Sequence, residues 1–354
     1  MIRQLPHHKI LIIQTAFIGD VVLVTPLIRA VRRCAAEATL HVMVIPAAQN
    51  IVENNPALNE VLVYDKRGSQ SGWRGFFRMC SRVRREKYGL VLVPHRSLRS
   101  ALIAWCSGAR VRVGFSNSAG AFLLSHRVRY IRSQHEIDRN LSLLASVACP
   151  AGRILPELFA TEQDQQFVGH LLAPLDRAGM SFIAVAPGSV WKTKRWPADY
   201  YHKLLKKLSG AGYAIVLLGG SQDRELCEAI AAAVPGLVIN SAGVLTLRQA
   251  AWLLSRAAAL VANDSAPLHL GSAANVPMVA LFGPTIPGFG FAPYSDHFVV
   301  VETELPCRPC GIHGGERCPI GTHACMIHLR VDEVYQETLN IINQKKDYER
   351  NHQN

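Results

Sequence analysis

The sequence predicts an α/β protein of two domains, each a parallel sheet covered by helices, and three observations lead there. Short apolar runs alternate with helical patterns along most of the chain, the mark of βαβ units and of parallel sheets buried on both faces. With 354 residues the chain is too long for one ordinary core and fits two domains of common size. The stretch 261–284, VANDSAPLHLGSAANVPMVALFGP, reads as a buried strand ending at Ala262, a polar turn Asn263-Asp264-Ser265, a helix opening near Pro267 and a second strand from Pro277 to Phe282. Ligands of open parallel sheets bind at such strand ends. A helix N-terminus following the turn offers free N–H groups and a positive dipole end, so the first expectation is an anionic ligand.

Apolar residues make up 49% of the chain and charged residues 18%, a globular balance that excludes a disordered chain. No apolar run reaches the roughly 18 residues that span a bilayer. The opening MIRQLPHHKILIIQ lacks the apolar length and small-residue site of a signal peptide, so a cytoplasmic location is expected. Charge is uneven: residues 1–150 hold 21 Lys and Arg against 8 Asp and Glu, and residues 151–354 hold 17 against 18, so the whole excess of +12 lies in the first half. An anionic partner for that half, nucleic acid or an acidic membrane surface, stands against a basic surface kept only for solubility.

In chain order, Lys9–Ile13 is a strand, and the turn 14–19 leads to Asp20 and a helix over 21–36. A strand at 40–45, a helix near 47–53, a strand at 61–64, a basic helix over 73–87 and a strand at 90–93 follow, then His95-Arg96-Ser97 and a helix to Trp105. Asp20 has two readings, a helix N-cap or a carboxylate at the mouth of the sheet able to take a proton from a hydroxyl. Gly19 beside it allows a close approach by a sugar or another backbone. In the basic helix Arg74, Arg78, Arg82 and Arg85 share one face. That face is either simply solvated or, with Lys66, Arg67, Arg96 and Arg99, a phosphate-binding surface.

From Val111 the pattern loosens. A helix is expected over 135–148, a linker opens at Cys149-Pro150-Ala151-Gly152, and a polar helix covers 161–178. The domain boundary falls between 150 and 180 and is taken at 165. Val185 to Pro197 then reads as a strand end, a Pro187-Gly188-Ser189 turn, three cations (Lys192, Lys194, Arg195) and a helix start at Trp196-Pro197. Gly, Ser and cations together after a strand point to a phosphate site rather than to a merely basic loop. The strand 214–218 ends in Gly219-Gly220-Ser221, with Asp223 and Glu225 beyond it. These carboxylates suit either ribose hydroxyls or the first turn of a helix. A strand at 237–240 and a helix at 246–255 lead to the Asn263 turn.

Four segments together, FIGDVVLVTP, APGSVWKTKRWP, LLGGSQD and VANDSAPLHLGSAANVPMVALFGPT, resemble the ADP-heptose:lipopolysaccharide heptosyltransferases, glycosyltransferase family 9, and in their KRWP and NDS segments heptosyltransferase II more than I. The resemblance runs from Lys9 to Leu329. It implies a GT-B fold, two facing Rossmann-like domains: an acceptor-binding domain at 1–165 and a nucleotide-sugar-binding domain at 166–330, with a terminal helix from 331 returning to the first domain and a frayed tail. It implies an inverting transfer of heptose from an ADP-heptose donor to the Kdo/heptose inner core of lipopolysaccharide, with no cofactor required. By position, the family's catalytic aspartate matches Asp20 and its phosphate-binding lysine matches Lys194, with Ser189 in the preceding turn. Its (S/T/N)D(S/T)G-x-x-H segment matches Asn263, Asp264, Ser265 and His269, with Ala266 where glycine is usual. Asp223 or Glu225 is the ribose candidate, and Lys66, Arg67, Arg96 and Arg99 face an acceptor that carries Kdo carboxylates and lipid A phosphates. A monomer held peripherally at the inner face of the cytoplasmic membrane follows.

A cysteine cluster, Cys307, Cys310, Cys318 and Cys325, has the thiolates for a tetrahedral structural zinc or is a set of buried or redox-sensitive thiols. Two rivals from other classes remain. A nucleic-acid binder lacks interleaved aromatics here, and a dehydrogenase lacks G-x-G-x-x-G after the first strand. A related transferase using another nucleotide sugar is the nearer alternative.

Overall fold

A computed structural model describes residues 8–149 and 151–352. The chain forms two compact units, Met1–Phe159 and Ala160–Asn354, so the division falls a few residues before 165. Of the calls on the termini and the linker, residues 1–7, Pro150 and residues 353–354 lie outside the described residues.

Unit 1 runs β1 (Lys9–Ile13), α1 (Ile18–Val22), α2 (Thr25–Cys34), β2 (Thr39–Val44), α3 (Gln49–Val52), β3 (Glu60–Val63), α4 (Gly72–Arg85), β4 (Leu90–Val93), α5 (Leu98–Cys106), β5 (Val111–Phe115), β6 (His126–Val128) and α6 (Glu136–Ser142). Its six strands lie in the order β3-β2-β1-β4-β5-β6, all parallel. β1 pairs on both sides, Ile10 against Leu40 and Leu90, and its apolar run 10–13 is wholly buried. The single helix expected over 21–36 is two, because Pro26 has no N–H with which to continue a turn and instead sits in the first turn of α2. β5 and β6 were hidden from periodicity. β6 is a short polar strand at the sheet edge, and β5 carries Gly114, where a Cβ would meet Leu124 at 2.8 Å and the Val93 carbonyl at 3.0 Å. Cys149, expected in a linker, is disulfide-bonded to Cys34 at a Cα–Cα distance of 6.2 Å.

Unit 2 runs α7 (Glu162–Arg177), β7 (Phe182–Ala186), α8 (Ala198–Gly210), β8 (Ala214–Leu217), α9 (Arg224–Ala231), β9 (Val238–Asn240), α10 (Leu247–Ser255), β10 (Ala259–Asn263), α11 (Ala266–Ala274), β11 (Met278–Phe282), β12 (Phe298–Glu302), α12 (Ala324–Ile327) and α13 (Val331–His352). The parallel sheet order is β12-β11-β10-β7-β8-β9. α13, expected to return to the first domain and to end in a frayed tail, continues to His352 and packs on α8 and on β10, β11 and β12. Val334, Ile341 and Ile342 enter the same core as Tyr201 and Val279, an apolar stripe that makes this helix part of unit 2.

Thr161 and Asp164 form a capping box at the start of α7, and Asp164 also accepts from the Arg248 Nε of α10 with both side chains buried. Burial pushes the Asp164 carboxyl up, but Arg248 and the Thr161 N–H and hydroxyl outweigh it and hold the group below its ordinary value. Its contribution to stability is therefore present above the ordinary carboxylate range and lost as pH falls through the depressed value. Arg248→Ala, which leaves that carboxylate buried without its cation, is expected to cost about 3–5 kcal/mol in urea unfolding at neutral pH.

Candidate active site

In each sheet the strand order reverses at one point, and strand ends open a crevice at such a point. In unit 2 the reversal lies between β7 and β10. The turns leaving these strands are bound together by Asn263, fully buried at the end of β10. Its amide donates to the Pro187 carbonyl (2.8 Å) and accepts from the Trp196 N–H (3.2 Å) and the Tyr201 hydroxyl (3.0 Å). The segment 192–194, a 3-10 turn, thereby holds the buried Lys194 with its Nζ 2.6 Å from Asp264 Oδ2. Thr285, beyond β11, donates to the same oxygen at 2.6 Å. Hydrophobic periodicity does not single out Thr285; its position directly after the Gly-Pro that follows β11 is the signal the sequence offers.

The neighbouring candidates assemble around this pair. Ser189 is buried and accepts from the Trp191 N–H (3.3 Å). The Ser265 hydroxyl lies 3.4 Å from the Gly188 carbonyl and 3.2 Å from that of Asn263, and Ser265 is the N-cap residue of α11. Ala266 opens α11 and is not among the residues with positive φ, so no glycine is required there. His269 is buried as the fourth residue of α11. Asp223 is taken up in closing its own turn: it accepts from the Gly220 N–H at 3.0 Å. It also fills the space over Gly188, where a Cβ would lie 2.4 Å from its carboxyl carbon. Glu225, in the first turn of α9, is exposed.

In unit 1 the reversal lies between β1 and β4. The Thr15 hydroxyl beyond β1 and His95 Nδ1 beyond β4 are 3.1 Å apart, and Ser100 Oγ lies 2.9 Å from the same nitrogen. Lys66, beyond β3, donates to the Thr15 carbonyl. Burial, then the charges of Arg67 and Arg99, pull the Lys66 ammonium below its ordinary pKa. Burial with Lys66 and Arg96 pushes His95 down to about 4, a neutral imidazole at physiological pH. The four basic candidates thus gather at one sheet end, while the arginines of α4 point outward along the helix.

Asp20 is not an N-cap. It lies inside α1 and accepts from the Phe17 N–H three residues back, at 3.2 Å. Burial raises its carboxyl to about 7, the Glu136 carboxylate adds to this, and the Phe17 N–H and Arg96 oppose it. Glu136 was missed in the sequence because it lies in α6, far along the chain. It is buried, accepting from the Tyr130 hydroxyl (2.9 Å) and from Arg139 (2.8 Å), and Arg96 stacks 4.2 Å over the Tyr130 ring. A carboxyl that titrates near neutrality beside a sheet mouth suits general-base work.

Among the described residues the four cysteine sulfurs do not all lie within 4.8 Å of one another, so the geometry gives no support to zinc at this cluster. Among the described residues the group of metal-ligating atoms lying within 4.8 Å of one another is His41, Glu60 and Glu86. There Arg82 and Lys9 already neutralise the two carboxylates. Cys310 turns its thiol to the Cys307 carbonyl, Cys325 is buried in the core, and Cys318 is drawn to the N–H of His323. Cys310, Cys318, Cys325, His313 and His323 instead line a cavity of about 100 Å³. Its walls buttress the lysine turn, since the Thr193 N–H donates to the Gly315 carbonyl, the Gly315 N–H donates to the Thr193 hydroxyl, and His323 Nε2 lies 2.8 Å from the Thr193 carbonyl.

A carboxyl whose pKa is raised on folding stabilises the native state below its unfolded value, and that contribution is lost as pH rises through about 7. Asp20→Asn is therefore expected to raise the melting temperature at pH 8 and to leave it nearly unchanged at pH 4. Glu136→Gln, which keeps the hydrogen-bonding shape and removes a charge, is expected to lower the Asp20 titration midpoint read by carboxyl-carbon NMR. An unmoved midpoint would show that Glu136 does not set it.

Comparison with known proteins identifies the family and the fold. The glycosyltransferase family 9 (heptosyltransferase) profile matches residues 76–314, more than half of the chain. Lipooligosaccharide heptosyltransferase 2 of Haemophilus ducreyi is 28% identical over 93% of this chain and 98% of its own. Lipopolysaccharide heptosyltransferase 1 of Pseudomonas aeruginosa is 27% identical over 85% of this chain and 86% of its own. The solved structure of E. coli ADP-heptose lps heptosyltransferase II superimposes with a TM-score of 0.78 at 26% identity, covering 96% of this chain and 99% of the other. The two α/β units accordingly have the GT-B fold, and the chain belongs to glycosyltransferase family 9, the heptosyltransferases.

Proposed function

We propose that this glycosyltransferase moves heptose from ADP-L-glycero-D-manno-heptose to the Kdo/heptose inner core of lipopolysaccharide, with inversion at the anomeric carbon. The observation that carries the reading is the Lys194–Asp264 pair at the reversal point of the second sheet, beside the N-terminus of α11. Asp264 holds the lysine in place but accepts only a share of its charge, and a diphosphate takes the remaining donors. The lysine, the Ser265 hydroxyl, Ser189 and the N–H groups that open at Ala266 stabilise the negative charge that develops on the leaving ADP. His269 backs the same helix turn. Glu225 is the ribose partner, since Asp223 is engaged in its own turn.

Asp20 acts as the general base. It takes the proton of the attacking acceptor hydroxyl as the bond to the anomeric carbon forms and the bond to the ADP oxygen breaks. Its raised pKa makes the carboxylate a competent proton acceptor near neutrality. Lys66, Arg67, Arg96 and Arg99 meet the Kdo carboxylates and lipid phosphates of the acceptor. Relatives named heptosyltransferase 1 and 2 match this chain to nearly the same degree, so the acceptor is stated as the inner core and not as one sugar of it. A monomer working peripherally on the cytoplasmic side of the inner membrane completes the reading. No helix among the described residues is long and apolar enough to cross a membrane.

The direct test is transfer from ADP-heptose to defined Kdo-lipid A and to its heptosylated form. Product on neither, with thermal stabilisation by UDP and not by ADP, overturns the donor and points to another nucleotide sugar. Asp20→Asn is expected to keep ADP affinity while kcat falls roughly 10²–10⁴-fold, and wild-type kcat/KM should rise with pH through an apparent pKa of about 7. Normal turnover of that variant would remove Asp20 from the chemistry. Lys194→Gln should weaken ADP binding roughly ten- to a hundredfold, the loss of a charged hydrogen bond, as measured by calorimetry.

A further inference from the structure

α4 divides into two faces. Gly75, Phe76, Met79, Cys80 and Val83 are buried on one, where Phe76, Met79, Cys80 and Val83 join Leu62, Tyr88 and Ile103 in the core. The other face carries Arg74, Phe77, Arg78, Ser81 and Arg85, all exposed, with Trp73 at its head. Trp73 is 74% and Phe77 61% exposed, and their rings stack at 6.2 Å to make one apolar ledge. The helix has no acidic residue within Gly72–Arg85. The nearby carboxylates Glu60 and Glu86 are already paired with Arg82 and Lys9, and among the described residues Arg74, Arg78 and Arg84 form no ion pair. At the far end of the helix Arg84, Lys87 and Arg110 line a pocket of about 510 Å³.

Arginines alone on a helix face are simply solvated, and an aromatic pair alone is an ordinary exposed patch. Together they ask for a partner that is anionic and also admits a ring. A second copy of this face would oppose arginine to arginine. A bilayer with anionic headgroups satisfies both demands: rings enter the headgroup boundary while guanidinium groups remain at phosphate level. We propose that the outward face of α4 is the surface on which this chain docks to an anionic lipid bilayer, with Trp73 and Phe77 inserted and Arg74, Arg78 and Arg85 on lipid phosphates. The segment that leaves β3 carries Lys66 and Arg67 directly into α4, so docking there presents the basic sheet end of unit 1 to a lipid-borne acceptor. This last consequence rests on the acceptor proposed above; the docking surface does not.

The full chain is floated with vesicles of phosphatidylcholine alone and with one third phosphatidylglycerol, at physiological ionic strength. Partition to the anionic vesicles is expected, with little to the zwitterionic ones. Arg74→Gln with Arg78→Gln should reduce it roughly thirtyfold, and the same charge change at the exposed Arg127 and Arg129 should leave it within about twofold of wild type. Trp73→Ser with Phe77→Ser should also lower it, and Trp73→Phe should keep the partition while abolishing the vesicle-induced blue shift of emission. Equal partition of the α4 variants and wild type, equal loss in the Arg127/Arg129 control, or indifference to lipid charge overturns the proposal. So does duplex DNA that binds through the same arginines and strips the protein from vesicles. Transfer to a delipidated acceptor is measured in parallel. If no variant and no wild type transfers heptose while α4-dependent flotation persists, the activity assignment fails and the docking surface stands.

Discussion

The candidate donor site depends on the side chain of Asn263. Buried at a strand end, it joins three partners from the segment after β7: a carbonyl, a backbone N–H and a hydroxyl. An amide that supplies both donor and acceptor capacity to buried backbone is hard to replace, because any apolar substitute leaves those groups without partners. Through this one side chain the β10 turn and the lysine turn become a single body, and only then can Asp264 hold Lys194 at 2.6 Å. Thr285 and the loop around Gly315 bind onto that body through Asp264 and Thr193.

Both units place charge at the point where the strand order reverses, but they treat it differently. In unit 2 the lysine is buried and paired within the protein with Asp264. In unit 1 the arginines are exposed while Lys66 is half-buried, and burial first, then the charges of Arg67 and Arg99, lower its pKa. Amid them Asp20 is kept partly protonated by burial and by Glu136. A carboxyl with this pKa comes at a cost to stability above neutrality, the trade expected of the general base proposed above.

The fold was largely legible because parallel strands are buried on both faces and so read as continuous apolar runs. β1 and β4 lie where the periodicity puts them. What escaped were edge strands and breaks. β5, β6 and β12 are short or partly exposed and carry polar residues, so their pairing partners rather than their own pattern make them strands. The basic residues Lys66, Arg67, Arg96 and Arg99 were legible as a group because each follows a strand, and strand ends in a parallel sheet share one side.

Family, the two α/β units and the residue types in the turns are readable from residue order alone, because strand patterns, turns and capping chemistry are local. Tertiary structure decided which of those residues act on one another. Asp223 and Glu225 look equivalent in sequence, yet packing over Gly188 engages the first and leaves the second exposed. The four cysteines have spacing suited to zinc, yet the Cys310 thiol meets a carbonyl, Cys325 lies in the core and Cys318 accepts from a loop N–H. Glu136 acts on Asp20 across more than a hundred residues of chain, and Cys34 meets Cys149 across 115. Such couplings depend on distance and burial in three dimensions, quantities that residue order does not contain.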